Sequence, residues 1–254
     1  MKLIKYVFWD IARNKILIAY AIFLFAVSFG LFSFSDDPIK ATSSLLNIVL
    51  IVLPLFSVIF ATSYYYNAYE FTTLVLGQPI NRLHLFFCQF AGVCIAMTLA
   101  FIMGCGIPII MYMPNIIGIM LLLSGISLTL VFISLAFMAG VLARDKARGI
   151  GIALLLWFYF AFLYDALVLM LLFAFSDYPM ENTMMTLAFL NPVDLIRIIM
   201  LMQLDMAAIM GYTGAVFNKL LGSSSGTILC FAAILVWIAL PLTISALRFR
   251  RKDI

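Results

Sequence analysis

The stretch GIALLLWFYFAFLYDALVLMLLFAF, from Gly151 to Phe175, contains a single charged residue, Asp165. A helix that crosses a membrane needs about 20 predominantly apolar residues, and this stretch exceeds that length. Its apolar residues follow one another without the polar alternation of a barrel strand, which predicts an α-helix. We therefore expect this segment to span a lipid bilayer.

The whole chain has the composition of a membrane protein. Of its 254 residues, 66% are hydrophobic and only 10% are charged, and the mean hydropathy is +1.20. A soluble domain carries about 25% charged residues. Backbone groups in lipid must be hydrogen-bonded within the protein, which leaves helices or closed barrels. Because the apolar runs are long and continuous, we predict an all-α integral membrane protein with residues 1–254 in one domain.

Six apolar segments are near or above the length of a span. The predicted spans are Ile16–Phe34, Leu45–Tyr64, Leu85–Ile107, Ile116–Ala143, Gly151–Phe175 and Thr227–Leu247. We expect Pro108 to end the third span, because proline interrupts helical hydrogen bonding. The longer spans are expected to tilt or to project from the bilayer.

Residues 1–15 combine apolar residues at helical spacing with charged residues between them. The apolar set is Leu3, Ile4, Val7, Phe8 and Ile11. This pattern is typical of an amphipathic helix that lies in the membrane interface. The alternative is that the segment is only the charged flank of the first span. No A-x-A cleavage site follows the first apolar run, so a signal peptide is not indicated.

Basic residues predict the orientation of the chain in the membrane. With the N-terminus in the cytoplasm, all but three of the 15 lysines and arginines lie in cytoplasmic segments. The three exceptions are Lys40, Arg197 and Lys219. Since loops rich in lysine and arginine stay in the cytoplasm, we predict that both termini are cytoplasmic.

The stretch NPVDLIRIIMLMQLDMAAIMGYTGAVFNKLLG, Asn191–Gly222, is apolar but opens with helix-start signals. Asn191 is a good N-cap, Pro192 suits the first helical position, and Asp194 falls in the first turn, near the positive end of the helix dipole. We therefore predict that a helix begins here, within a helical segment that covers residues 177–225.

Charged residues distinguish this segment from a simple span. At 100° per residue, Asp194, Arg197 and Asp205 fall on one side of the helix, and Tyr212 is in line with Asp194. A charge at the centre of a membrane helix costs about 2.5–3.5 kcal/mol. We expect the segment to lie outside the membrane or to re-enter its outer leaflet, and the three charged residues to form a partner contact or a structural brace.

Three short motifs in this stretch resemble those of a known family. N-P-x-D, Q-L-D and M-G-Y-T-G-A, all within Asn191–Phe217, look like the segment before the last membrane helix of the NosY family. That family is the ABC-2 type permease of the ABC complex that matures nitrous oxide reductase, the copper enzyme of denitrification. The resemblance implies the fold of an ABC-2, or type V, exporter in a bacterial inner membrane.

The resemblance also implies partners. They are a second copy of the chain, a cytoplasmic ABC ATPase of the NosF kind that binds ATP and Mg²⁺, a periplasmic β-helical protein of the NosD kind and a copper chaperone of the NosL kind. The chain itself would then hold no cofactor. The residues that would contact or brace the periplasmic partner are Asn191, Asp194, Arg197, Asp205 and Tyr212.

The predicted cytoplasmic loop Tyr66–Phe87 resembles the coupling helix region of ABC-2 permeases, where the ATPase docks. The matching residues that would couple to the ATPase are Glu70, Thr73, Leu74, Pro79 and Arg82. Thr72 and Gln89 depart from the family, which usually has Gly and Lys at these positions. Leu74 begins a short apolar patch in a loop that should face water, and such a patch invites a partner. The alternative is that the patch is buried in the membrane interface.

Several kinds of chemistry are not indicated. No phosphate loop GxxxxGK[ST] occurs, so we do not expect the chain to hydrolyse ATP or to be an enzyme. The four cysteines form no CxxC pair, His84 is the only histidine, and no metal site is predicted. Methionines near the outer face suit Cu(I) but form no repeated ligand array. The small net charge of +4, without a basic aromatic face, does not indicate nucleic-acid binding.

Asp165 is a functional candidate by default, because a charge inside a span is costly. No other span carries an obvious charged partner for it. Three environments remain open: it is protonated, it faces its own copy across a dimer interface, or it faces a tyrosine such as Tyr159 or Tyr164. We expect structural or gating polarity rather than catalysis.

Three functions compete at this stage. The resemblance implies a permease that couples a separate ATPase to a periplasmic partner during maturation of the copper–sulfur centre of nitrous oxide reductase, with or without transport of a copper or sulfur species. The alternatives are a generic ABC-2 exporter of lipid, peptide or drug and a proton-coupled secondary transporter with Asp165 as its proton site. The two halves of the chain show no internal repeat, which disfavours the last.

Overall fold

A computed structural model describes residues 13–77, 81–175, 181–204 and 224–251, together with Trp9 and Ile11. All regular structure in these ranges is helical, and six of the helices are long and apolar enough to cross a membrane. They are Lys15–Phe34, Pro38–Asn67, Arg82–Tyr112, Ile116–Leu142, Lys146–Ala174 and Gly226–Arg251, here called spans one to six. The predicted all-α membrane fold with six spans is confirmed.

Span two begins at Pro38, earlier than the predicted Leu45, because capping rather than hydrophobicity determines its start. The side chain of Asp37 accepts a hydrogen bond from the amide of Ile39 at 2.9 Å, and Pro38 occupies the first turn. Both features stabilise a helix start. The helix therefore extends beyond the apolar run on which the prediction was based.

Span three does not end at Pro108, so that expectation is wrong. The span changes from an α-helix, Arg82–Phe101, to a π-helical turn, Ile102–Gly106, and continues as an α-helix, Ile107–Tyr112. Pro108 lies directly after the π-helical turn, within a helix that continues on both sides, so its missing amide proton interrupts the hydrogen-bond pattern without ending the span.

Span four is the centre of the bundle. From Leu128 to Val141 its side chains are buried, apart from two that are partly exposed. It packs against spans two, three, five and six. The ring of Phe137 meets those of Phe86 and Phe90 edge-on, with centroids 5.7 and 5.5 Å away. Spans one, five and six lie at the periphery and bury a smaller share of their apolar surface.

Two features interrupt the pattern of spans. The loop helix, Tyr69–Leu76, lies between spans two and three. The elbow lies between spans five and six and consists of two short helices, Glu181–Phe189 and Pro192–Gln203. Because the chain crosses the bundle three times between them, the loop helix and the elbow lie at opposite ends. That the loop helix faces the cytoplasm stays a prediction from the distribution of basic residues.

Most of the predicted interfacial helix, residues 1–15, lies outside the described residues. Ile11 is buried against the core, and the guanidinium of Arg13 lies 5.9 Å from the ring centre of Trp9. The side chain of Asn14 accepts a hydrogen bond from the amide of Ile16 at 2.9 Å. Asn14 therefore caps span one, which starts where the predicted segment ends.

Candidate functional site

The elbow bends the chain back on itself. The angle between its helical parts, Thr183–Phe189 and Pro192–Gln203, is 112°. The second helix packs against span four, and most of its side chains are buried. The buried ones are Pro192, Val193, Leu195, Ile196, Ile198, Ile199 and Met200. Such burial belongs to a re-entrant segment or a broken span rather than to a loop in water.

Asn191 stands at the corner of the elbow, and its fully buried side chain uses both of its polar atoms. Its Oδ1 accepts a hydrogen bond from the amide of Val193 at 3.0 Å, which makes it the N-cap that the sequence predicted. Its Nδ2 donates to the carbonyl oxygen of Phe160 at 3.0 Å and to Oδ2 of Asp194 at 3.0 Å. One side chain thus joins the corner of the elbow to span five.

Span five presents this carbonyl because its helix contains a π-helical turn, Tyr159–Leu163. There the amide of Tyr164 donates to the carbonyl of Tyr159, whereas in a regular α-helix it would donate to that of Phe160. A carbonyl left without a partner in lipid is costly. The side-chain amide of Asn191 donates a hydrogen bond to the carbonyl of Phe160, so the π turn and the corner of the elbow stabilise each other.

Next to this contact, Arg197 bridges two carboxylates. Its Nη1 lies 2.7 Å from Oδ2 of Asp165 and 2.8 Å from Oδ1 of Asp194. The side chains of Arg197, Asp165 and Asp194 are 32, 28 and 15% exposed. If all three groups are ionised, this charged cluster carries a net charge of −1. Such pairs within low-dielectric surroundings depend on one another, because removing one member leaves the others uncompensated.

The three environments predicted for Asp165 did not include an ion pair, and the structure corrects this. The other spans do not supply the partner; the elbow does, through Arg197, which lies 32 residues further along the chain. The helical spacing of the sequence relates residues on one helix only. The contact between Asp165 and Arg197 arises because the elbow turns back onto span five.

Two further hydrogen bonds fix the first helix of the elbow. The hydroxyl of Tyr164 donates to the carbonyl of Leu187 at 2.6 Å, and the indole nitrogen of Trp237, on span six, donates to the carbonyl of Phe189 at 3.1 Å. The last four carbonyls of a helix lack the regular amide partner of the next turn, and that of Leu187 accepts a tighter bond from the backbone amide of Leu190 at 3.0 Å. Side chains from spans five and six supply donors to two of them and so hold the elbow between these spans.

The loop helix at the opposite end carries three of the residues expected to couple to an ATPase: Glu70, Thr73 and Leu74. Arg82 is the first residue of span three, and Pro79 lies outside the described residues. The side chain of Leu74 is 76% exposed. Exposure of Leu74 is expected for both predicted environments, a docking contact and the membrane interface, so its docking role stays a prediction.

Thr72 fixes the loop helix to span three. Its Oγ1 donates to the carbonyl of Ala68 at 2.7 Å and accepts a hydrogen bond from Nε2 of Gln89 at 2.8 Å. Thr72 is 4% and Gln89 2% exposed. These are the two residues that depart from the family pattern at the coupling region. The two departures form a single buried contact.

The end of span two, which leads into the loop helix, is also tied to span four and to the start of span five. The hydroxyl of Tyr66 donates to the carbonyl of Gly140 at 3.1 Å, and Nζ of Lys146 donates to Oδ1 of Asn67 at 2.8 Å. Gly149 makes room for the ring of Tyr66, since a Cβ atom there would lie 2.5 Å from it. A movement of the loop helix would therefore be transmitted to spans three, four and five.

The family model for ABC-2 family transporter proteins matches residues 10–254, nearly the whole chain. The chain belongs to the ABC-2 family of transporter proteins. It is accordingly a multi-pass membrane subunit of an ABC transporter, whose ATPase is a separate partner, and it is not itself the ATPase.

This ABC-2 chain is similar to two proteins described as "Probable ABC transporter permease protein NosY". The one from Pseudomonas aeruginosa is 28% identical over 266 residues, which cover 96% of this chain and 95% of that protein. The one from Stutzerimonas stutzeri is 25% identical over 287 residues, which cover 96% of this chain and 98% of that protein. The resemblance to the NosY family is confirmed.

The described site residues of this ABC-2 chain form two groups at opposite ends of the bundle. Asn191, Asp194 and Arg197 meet in one cluster, which Asp165 joins. The other group lies on or beside the loop helix. Three predicted residues lie outside the described parts of the chain: Pro79, Asp205 and Tyr212.

Metal-binding chemistry is not assembled in the described parts of this ABC-2 chain. No three His, Cys, Asp or Glu side chains come together there in a way that could hold a metal ion. Nε2 of His84 lies 3.6 Å from Sγ of Cys88, one helical turn away, which is a pair and not a ligand set. Met200 is fully buried within the core.

Sequence reasoning missed Trp237, and it named Tyr164 only as a neighbour of Asp165. Both residues donate to carbonyls at the end of a short helix that the sequence does not delimit. Trp237 is the only tryptophan on span six, and the indole nitrogen of a partly buried tryptophan usually finds an acceptor. That tendency was a usable signal for an unsatisfied backbone carbonyl nearby, although not for its identity.

Proposed function

We propose that this chain is the permease of an ABC complex that matures the copper–sulfur centre of nitrous oxide reductase. Its similarity to NosY along nearly the full length of both chains supports this role. The motifs N-P-x-D and Q-L-D that carry the resemblance lie at the elbow and just beyond it. In this role the chain transmits ATP-driven movement of a separate ATPase, with its ATP and Mg²⁺, to the opposite side of the membrane.

The observation that carries the proposal is an exposed leucine on a helix that is hydrogen-bonded to span three. Leu74 points an apolar side chain outward, while Thr72 on the same helix is hydrogen-bonded to Gln89 of span three. A partner that binds Leu74 therefore moves span three with the loop helix. Glu70, Thr73, Pro79 and Arg82 would complete the docking surface for an ATPase of the NosF kind.

Movement would reach the elbow through span four. Span four packs against spans two and three, and it also packs against the second elbow helix. Closely packed helices transmit force by small sliding displacements rather than by bending. Docking of nucleotide-bound ATPases would thus shift the elbow relative to the membrane.

We propose that a periplasmic β-helical partner of the NosD kind binds at the elbow. Asn191, Asp194 and Arg197 act as an internal brace that gives this binding surface a fixed shape. Asp205 and Tyr212 are proposed as contacts to the partner. A second copy of the chain and a copper chaperone of the NosL kind complete the assembly, which works with or without passage of a copper or sulfur species.

Docking is tested by co-purification of the membrane chain with the separately encoded ATPase. Leu74→Asp should abolish co-purification, because a carboxylate cannot be buried in an apolar contact without a large cost. Phe34→Asp is the matched control, since Phe34 is 93% exposed at the opposite end of the bundle. It should leave co-purification unchanged. A wild-type chain that binds no ATPase contradicts the proposal.

The cellular role is tested separately by deleting the gene. We expect nitrous oxide reductase made without this chain to lack its copper and sulfide. Intact reduction of nitrous oxide together with new sensitivity to a toxic compound would instead indicate a generic ABC-2 exporter. A proton-coupled secondary transporter is disfavoured by the family match, because the ABC-2 family consists of membrane subunits of ABC transporters.

A further inference from the structure

A cavity of about 490 Å³ lies where three parts of the chain meet. Its lining comes from the residues around the start of span one, from the last turns of span two and from the loop helix. Cavities of about 300–1,000 Å³ accommodate small ligands. Its described lining residues include neither Leu74 nor Arg82, and the charged cluster lies at the other end of the bundle. The cavity is therefore separate from both groups of site residues.

The lengths of two spans place the cavity at the depth of lipid headgroups. Span two has 30 residues and is about 45 Å long, against a hydrocarbon core of about 30 Å. When it is centred, about five residues extend beyond the core at each end, so Ser63–Asn67 lie among the headgroups. Span one has 20 residues, which match the core, and begins at Lys15. Arg13 and Asn14, directly before it, therefore lie at the same depth as Ser63–Asn67.

Two asparagines give the lining hydrogen-bond donors. Oδ1 of Asn14 accepts a hydrogen bond from the amide of Ile16, and Oδ1 of Asn67 accepts one from Nζ of Lys146. Both side-chain oxygens are thus occupied, while neither Nδ2 has a partner among the described residues. Each of these nitrogens carries two donor protons. The polar part of the cavity therefore suits a ligand that is rich in acceptors.

Arg13 adds a positive charge to this lining. Its side chain is exposed and forms no ion pair with a described residue, and the described lining contains no carboxylate. Its guanidinium lies 5.9 Å from the ring centre of Trp9, and tryptophan is typical of the membrane interface. A guanidinium binds phosphate through two parallel hydrogen bonds. The charge of the cavity is thus complementary to a phosphate group.

The rest of the lining is apolar and continues towards the hydrocarbon core. Ile59 lies one helical turn deeper in the membrane than Ser63, and Ile59 and Ile16 are 40 and 58% exposed. Phe60 is buried behind them. A free phosphate ion would gain nothing from these side chains, whereas acyl chains would bury apolar surface against them. The lining therefore matches a ligand with an anionic head and an apolar tail.

We propose that this cavity binds an anionic phospholipid, with its phosphate on Arg13 and its acyl chains along Ile16 and Ile59. Basic pockets beside membrane helices bind such headgroups on the cytoplasmic side, which is the side predicted for this end of the bundle. The bound lipid would join the start of span one to the loop helix. The inference needs only the membrane location of the chain and does not depend on its partners or cargo.

Native mass spectrometry of the full-length chain in detergent tests the proposal, with dioleoyl phosphatidylglycerol as the probe. It should bind more tightly than dioleoyl phosphatidylcholine, whose choline cation offsets the phosphate charge. Arg13→Gln should weaken binding of phosphatidylglycerol about tenfold, the order of effect of losing a hydrogen bond between charged groups. Arg144→Gln is the matched control, because Arg144 is exposed at the same end of the bundle and is not among the described lining residues. It should leave the affinity unchanged.

Ser63→Phe tests the cavity without changing a charge, since a phenyl ring would fill the space beside the half-buried Ser63. It should also weaken binding of phosphatidylglycerol, and thermal unfolding shows whether the variant is folded; if it is not, the two arginine variants decide. Equal affinities for the two lipids, or equal effects of Arg13→Gln and Arg144→Gln, would overturn the proposal. Displacement of the lipid by inorganic phosphate at constant ionic strength would indicate a site for free anions and would overturn it as well.

Discussion

Asn191 holds the corner of the elbow with three hydrogen bonds that Asp or Ser could not make together. Its Oδ1 caps the second elbow helix, and its Nδ2 serves both Phe160 and Asp194. The sequence predicted the cap, because Asn followed by Pro is a local signal of a helix start. The bond to Phe160 could not be predicted, since it depends on a π turn in a distant span.

Replacing Asn191 separates its two roles. Asn191→Ser keeps an N-cap but leaves the carbonyl of Phe160 and one oxygen of Asp194 without a donor, so we expect a loss of about 1–3 kcal/mol of stability. Asn81→Ser is the matched control, because the exposed Asn81 only caps span three and Ser caps equally well. Thermal unfolding in detergent measures both. Equal effects at the two positions would show that Asn191 is only a cap.

The pair Asp165–Arg197 can be measured by a double-mutant cycle. With Asp165→Asn and Arg197→Gln we expect a coupling energy of about 1–3 kcal/mol, because the two groups contact each other away from bulk water. The control cycle uses Asp145 and Arg148, a pair 3.3 Å apart whose side chains are more than half exposed. That pair should couple by less than about 1 kcal/mol. Similar values in the two cycles would contradict a special role for the elbow pair.

At the scale of helices, hydrogen bonds to neighbouring spans determine the position of a short helix more than its helix propensity does. The loop helix has only eight residues, too few to be stable alone, and its position depends on Thr72 and Gln89. The sequence showed these two residues as separate departures from a family pattern. Their contact was not predictable, because it joins a loop helix to a span whose relative placement hydropathy does not determine.

The contact between Thr72 and Gln89 predicts a non-additive result. Thr72→Val alone leaves the buried Nε2 of Gln89 without its acceptor and should cost about 1–3 kcal/mol. Adding Gln89→Leu removes the stranded donor, so the double variant should be more stable than Thr72→Val alone. Chemical unfolding in detergent compares the three proteins. A double variant that is simply the sum of both losses would refute the contact.

Close packing between spans two and five gives a second test at this scale. Gly149→Ala would place a methyl group against the ring of Tyr66 and break its hydrogen bond to Gly140, so we expect a loss of about 1–3 kcal/mol. Gly151→Ala, two residues further on, meets nothing within 4 Å. It should be neutral or slightly stabilising, because Ala favours a helix over Gly. The order of melting temperatures decides the matter, and a reversed order would contradict the described packing.

For the whole molecule, hydropathy predicted how many spans there are but not how they are arranged. Spans four and six are similarly apolar, yet span four is central and span six largely exposed. In lipid an apolar side chain gains little by facing protein rather than acyl chains, so an evenly apolar span carries no signal of its neighbours. The charged residues do carry such a signal. Asp165 marked the position of the site, although its partner, Arg197, became apparent only from the fold.

The central claim is that ATP acting at the loop helix moves the elbow at the other end of the bundle. A fluorescent label on Leu190→Cys, at the exposed corner of the elbow, reports that movement in the membrane complex with the ATPase. The account predicts a spectral change when ATP binds and its loss when Leu74→Asp is added. An unchanged spectrum while bound ATPase hydrolyses ATP, or the same change with and without Leu74, would contradict it.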